Sequence, residues 1–155
     1  MNKILIAVLL FVFTANYNCQ PTQLKSFTEI FDNMNVGAGI KVVIHYGKCK
    51  LITGGKEVIP PEAIGGMELK TFEYFGNGAI RNELAFIATS ESVLISHPKY
   101  GYVYNYIKIK IFDDDSVEII ARYLDPKSYE IKMDETFYTK VNNSKNEGAA
   151  FFYMN

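Results

Sequence analysis

Between Tyr102 and Phe112 the side chains alternate in character: Val103, Ile107, Ile109 and Ile111 fall on one side, Tyr102, Tyr104, Tyr106, Lys108 and Lys110 on the other. A period of two marks a half-buried β-strand, because successive side chains leave the backbone on opposite faces. Asp113–Asp114–Asp115–Ser116 then turns the chain, since aspartate favours turns, and Val117 to Leu124 returns as the next strand. A chain containing this hairpin is committed to an antiparallel sheet with one face covered.

The same period recurs on both sides. Ile40, Val42 and Ile44 alternate with Lys41, Val43 and His45 in a strand ending at Gly47. Residues 52 to 66 hold four glycines and two prolines and predict a loop. Met67 to Phe75 predicts a strand, with Gly76–Asn77–Gly78 as the hairpin turn after it. Ala79 to Thr89 and Ser92 to Ser96 lean towards β and stop before Pro98. Asp125–Pro126 breaks the returning strand; Tyr129 to Met133, Phe137 to Val141 and Ala150 to Tyr153 complete the set. One segment is helical instead. Leu24, Phe27, Ile30, Phe31 and Met34 form a stripe, Ser26 and Glu29 make a capping-box pair, and Gly37 and Gly39 stop the pattern, predicting a helix over 24–35. The expected fold is mainly β: an antiparallel barrel or strongly curved sheet of about eight strands with one short N-terminal helix. Open edges attract pairing, which favours closure.

Length and charge bound the function. The chain has 155 residues, enough for one domain, and its 16 basic against 17 acidic side chains carry no polybasic footprint for nucleic acid. Two cysteines are too few for a disulfide scaffold or a cysteine-rich zinc site. Eleven Tyr and eleven Phe with no Trp suit strands.

The N-terminus reads as a targeting segment. Lys3 precedes an apolar run of ten, Ile4 to Phe13, and no further charge occurs before Lys25. A bilayer-spanning helix needs roughly 20 residues, so the run is too short to span and has the form of a secretory signal peptide. The expected organisation is a signal peptide over 1–19 and one secreted β-rich domain over 20–155, with no membrane span. Cleavage after Ala15 would place Phe13 at the third position before the cut; cleavage after Cys19 would place Tyr17 there. If Cys19 is retained it can pair with Cys49, closing a loop of about 30 residues worth roughly 3–4 kcal/mol. If it is removed, Cys49 is solitary.

Motifs for chemistry are scarce. His45 and His97 are the two histidines, and no H-E-x-x-H supports a catalytic metal. Ser90, Ser92 and Ser96 neighbour His97 in sequence but lack a G-x-S-x-G elbow. Lys48 and Lys50 flank Cys49 and would favour its thiolate. Asp113 to Asp115 resembles a calcium loop only in its start, because Glu118 and Leu124 stand where Gly and Glu are required. No phosphate-binding loop occurs. No catalytic, cofactor-binding or metal residues are therefore expected, and the chain reads as a non-enzyme. The tyrosine and lysine face of Tyr102, Tyr104, Tyr106, Lys108 and Lys110 reads either as a solvated outer face or as a partner-binding surface. Asn142–Asn143–Ser144 is an N-glycosylation sequon with Asn142 as acceptor.

Several segments together resemble the VirK family of exported bacterial proteins and VirK-like secreted proteins of other organisms. They are V-V-I-H-Y-G-K-C-K (42–50), G-G-M-E-L-K-T-F (65–72), L-A-F-I-A-T-S-E-S (84–92), Y-N-Y-I-K-I-K-I-F-D-D-D-S-V-E-I (104–119) and L-D-P-K-S-Y (124–129). The departure is at the turn, where Asp114–Asp115–Ser116 stands in place of a D-G pair. The resemblance implies export and a β-rich fold, and carries over no catalytic residues. The expected function is that of a secreted binding protein such as a component of a secretion, venom or host-interaction system, with an extracellular protein as partner. The alternatives are a carrier of a small apolar ligand inside a barrel and, disfavoured by the motifs, a hydrolase.

Overall fold

The computed structural model describes residues 20–154. Its elements run β1 (Thr22–Leu24), α1 (Phe27–Asn35), β2 (Ile40–His45), a 3₁₀ turn (Tyr46–Lys48), β3 (Lys50–Thr53), β4 (Lys56–Val58), β5 (Ile64–Leu69), β6 (Glu73–Phe75), β7 (Phe86–His97), β8 (Gly101–Phe112), β9 (Ser116–Leu124), β10 (Ile131–Lys140) and β11 (Ala150–Met154). They make a four-stranded sheet in the order β1-β11-β2-β5 and a seven-stranded sheet in the order β4-β3-β10-β9-β8-β7-β6. Neighbouring strands are antiparallel throughout both sheets.

The mainly β, antiparallel reading with one helix therefore holds, and the barrel does not. Among the described residues neither sheet closes on itself, and the strands number eleven. The physical reason lies in what covers the inner face. Ile87, Ile109, Ile111, Val117, Ile119 and Phe137 of the large sheet share one core with Ile40, Val42, Ile44 and Phe152 of the small one. Phe27, Ile30 and Met34 of α1 enter the same core. A second layer thus removes the inner face from water without closure. The edges are blunted differently: β1, β4 and β6 are only three residues long, and β4 carries Lys56 and Glu57.

Local differences have local causes. Leu24 leaves the predicted helix to pair with Phe152, so α1 begins at Phe27 after the Ser26 cap, whose hydroxyl accepts from the Glu29 amide. Gly54 and Gly55, placed in a predicted loop, both have positive φ (58° and 76°) and form the two-residue turn of the β3–β4 hairpin. The glycines at 76 and 78 do not make a tight hairpin; ten residues, 76 to 85, separate Phe75 from its partner Phe86. Asn82 holds that loop together, its side-chain amide donating to the carbonyls of Gly76 and Leu84.

Candidate functional site

The large sheet presents two surfaces, and the predicted one is the outer. Tyr102, Tyr104, Tyr106, Lys108 and Lys110 all sit on β8 facing away from the core, while Val103, Ile109 and Ile111 are buried on the other side. The five do not act alike. Lys110 is held by Glu118 at 2.7 Å and lies 5.9 Å from the Phe86 ring, so its charge is already neutralised. Tyr106 and Lys108 line a groove of about 320 Å³ with Phe72, Glu73, Ala88 and Ser90. Tyr104 stacks nearly parallel on Tyr129, with ring centroids 6.4 Å apart. Register places Leu94, Tyr104, Leu124 and Ile131 in one row across four strands. Leu94 is 51% exposed, Ile131 48%, Tyr129 66% and Tyr102 69%. The outer face is therefore an apolar row, with its charges paired or set to one side.

The inner face holds a second site, built where the two sheets diverge. The chain leaves β2 through the 3₁₀ turn, which swings Tyr46 over the large sheet; its amide donates to the Ala63 carbonyl at 2.9 Å. The Tyr46 ring occupies the space above Gly65, where an added Cβ would come within 2.8 Å of Cε2. Its other side meets Phe137 at 4.8 Å between centroids. Below it, β8, β9 and β10 contribute Asn105, Ala121, Tyr123, Met133 and Glu135 to a cleft of about 190 Å³. Burial raises the Tyr46 phenol above its ordinary value, with Cys49 and Tyr123 adding to the effect. Burial likewise raises the carboxyl of Glu135. Glu135 makes no ion pair and no hydrogen bond among the described residues, although Asp134 beside it on the outer face pairs with Arg122 at 2.9 Å.

The family model described as VirK protein matches residues 23–129. The chain belongs to the VirK family. Its fold is similar to the crystal structure of lpg1832, a VirK family protein from Legionella pneumophila, with a TM-score of 0.63 at 16% identity, covering 84% of this chain and 97% of that one. No curated protein matches the chain in sequence. Two separate segments of the VirK match meet here: Tyr46 comes from V-V-I-H-Y-G-K-C-K and Gly65 from G-G-M-E-L, and the missing Cβ at Gly65 lets the Tyr46 ring pack against it. Gly66 is equally constrained, since a Cβ there would reach the Val42 carbonyl at 2.8 Å. Met133, Glu135 and Phe137 lie beyond the VirK match.

The remaining sequence candidates scatter through this VirK fold. Cys49 is buried with a free thiol, 3.5 Å from the His45 carbonyl. Its flanking lysines do not activate it: burial pushes the thiol up, outweighing a hydrogen bond with Thr139. Cys19, and with it the pairing to Cys49 and the signal peptide, lies outside the described residues. His97 Nδ1 accepts from the amides of Lys99 and Tyr100, and its ring packs on Tyr123 on the inner face. Ser92 and Ser96 pair with Tyr106 and Tyr102 on the outer face, so the sheet separates them from His97. His45 packs on Phe151. No group of three metal-ligating side chains occurs among the described residues, and no described helix is long and apolar enough to cross a membrane.

Two residues have structural duties that sequence reasoning missed. Asp115 accepts from the Phe27 amide at 2.7 Å, tying the β8–β9 turn to the start of α1 across 88 residues. Asn142 spans two elements: its amide nitrogen donates to the Gly148 carbonyl at 2.7 Å, and its Oδ1 accepts from Gln23 at 3.1 Å. A sequon and an acidic run are both short, and neither local pattern signals a partner more than 80 residues away.

Proposed function

We propose that this VirK-family chain is exported and acts outside the cell as a non-enzymatic binding protein, engaging a protein partner through the outer face of its seven-stranded sheet. The observation that supports this reading is the row Leu94–Tyr104–Leu124–Ile131, exposed at its Leu94 and Ile131 ends and half-buried between, with exposed Tyr102 and Tyr129 beside it. Contiguous exposed apolar surface on a sheet is uncommon unless something covers it, and tyrosines supply large contact area at low cost in side-chain entropy. Arg122 and Asp134, paired with each other on the outer face one outward position from Leu124, give the row a polar border. The carrier alternative called for a closed barrel; neither sheet closes among the described residues, and Ile30, Ile40, Ile87, Ile109 and Phe152 pack between them, which favours the surface-binding reading.

A photo-reactive residue at position 102, exposed to the extracellular fluid from which the protein comes, tests the reading. The expected result is one specific crosslinked species, lost in the Leu94→Ser, Ile131→Ser double variant. The same probe at Ile59, 94% exposed in the loop after β4, gives none. Equal crosslinking from both positions would dismiss the face.

A further inference from the structure

We propose that the inner cleft is a binding site for a small methylated ammonium compound, with Glu135 as counter-charge and Tyr46, Tyr123 and Phe137 as the aromatic walls. Four observations meet there. Glu135 is the one carboxyl side chain among the residues lining the cleft, and none of them is basic. It lacks a cationic or hydrogen-bonding partner among the described residues, although the carboxylates nearest it in sequence have one, Asp134 on the outer face of β10 with Arg122 and Glu130 just before β10 with Lys132. A half-buried carboxylate without a partner costs stability, and a cation placed beside it removes that cost.

The walls select the kind of cation. Tyr46 and Phe137 stand at 59° to each other with centroids 4.8 Å apart, and Tyr123 closes the far side, itself held by the His97 ring at 4.9 Å. Aromatic faces attract cations through the ring quadrupole, and each ring contributes about two- to thirtyfold in affinity depending on how dry the site is. A hard metal ion would need several strong oxygen ligands, whereas this cleft offers one carboxylate, one carboxamide from Asn105 and the weakly donating hydroxyls of Tyr46 and Tyr123. Methyl groups suit the apolar contacts of Ala63, Met133 and Pro61, which a bare ammonium would not use. The volume of about 190 Å³ falls below the range of drug-sized pockets, roughly 300–1,000 Å³, and leaves room for a head group and little more. The walls are also formed in advance: the missing Cβ at Gly65 leaves room for the Tyr46 ring, and its packing on Phe137 holds the ring there without a ligand. This site is on the opposite face of the sheet from the outer row and does not depend on it.

The test is choline chloride titrated into the full chain at constant ionic strength, followed by NMR at the Asn105 side-chain amide and the Tyr46 and Tyr123 rings. The matched neutral probe is 3,3-dimethylbutan-1-ol, which has the shape of choline without its charge. Saturable shifts with choline, none with the alcohol, and at least about tenfold weaker binding in Glu135→Gln are expected. Glu135→Gln is near-isosteric, and its spectral dispersion reports whether it is folded; Tyr123→Leu is the second variant and should also weaken choline. Absence of saturation to about 50 mM, weaker than any useful site, would overturn the assignment. So would equal binding of the alcohol, or unchanged affinity in both variants. Tighter binding of Nα-acetyl-lysine methylamide than of choline would also overturn it, in favour of a peptide lysine.

Discussion

At the scale of single residues, Asp115 carries more than its place in a turn suggests. It sits at φ 64°, in the left-handed region that glycine enters freely. The side chain compensates by accepting from the Phe27 amide in the first turn of α1, where one of the helix's unpaired donors needs an acceptor. Asp115→Ala removes that bond and keeps a Cβ in the left-handed region, whereas Asp115→Gly removes the bond and the Cβ strain together. Alanine should lower the urea midpoint by the lost cap, about 0.5–2 kcal/mol, and glycine should cost about 1 kcal/mol less. Equal losses in the two variants would show that the backbone relaxes at no cost. Glu135 gives a pH signature of definite sign. Burial raises its carboxyl above 4.5, so the folded chain keeps the proton to higher pH than the unfolded chain does. Stability therefore falls as pH rises through the window between those values. Asp114 acts oppositely, since the Ser116 hydroxyl and amide hold it below 3.8 and its contribution is lost as pH falls through the lowered value. Glu135→Gln should leave stability unchanged near pH 4 and raise it near pH 7, read from urea midpoints at about those two values. A variant no more stable than the parent at the higher pH would contradict the burial of this charge.

Elements were legible wherever one face is dry and the other wet. The β8–β9 hairpin has that contrast along its whole length, from Val103 to Ile119 on the buried side, and its register is what the alternation requires. The α1 cap at Ser26 was equally plain, because capping depends on neighbours three residues apart. β10 was split in reading because its middle is polar on both sides: Asp134 faces out to Arg122 and Glu135 faces into the cleft. No period of two in hydrophobicity survives that arrangement. Gly54–Gly55 predicts a loop because glycine weakens a strand pattern, although two adjacent glycines between short β-segments are also what a tight hairpin needs. For the candidate sites the same contrast applies. The outer tyrosines were visible from alternation, while the cleft joins Tyr46, Tyr123 and Glu135 from three separate segments that share no local motif.

Across the whole molecule, the order β1-β11-β2-β5 brings both ends of the described chain to one sheet, and the common core binds that sheet to the larger one. Ile109 lies fully buried near the middle of that core. Ile109→Ala should cost about 2–5 kcal/mol and should lower hydrogen-exchange protection in β2 and in β9 together, because two sheets sharing one core open as one unit. Loss confined to the seven-stranded sheet would mean that the sheets fold independently. The chain's sequence by itself determined the strand-rich class, the antiparallel β8–β9 hairpin, the capped helix and the resemblance to VirK proteins, all of which rest on neighbours a few residues apart. The tertiary structure alone decided that two sheets cover each other instead of one closing, that Asp115 and Asn142 tie distant segments, and that an unpaired carboxylate meets three aromatic rings. Those outcomes depend on which strand edges meet across long separations, where the gain is shared burial and no local pattern records the partner.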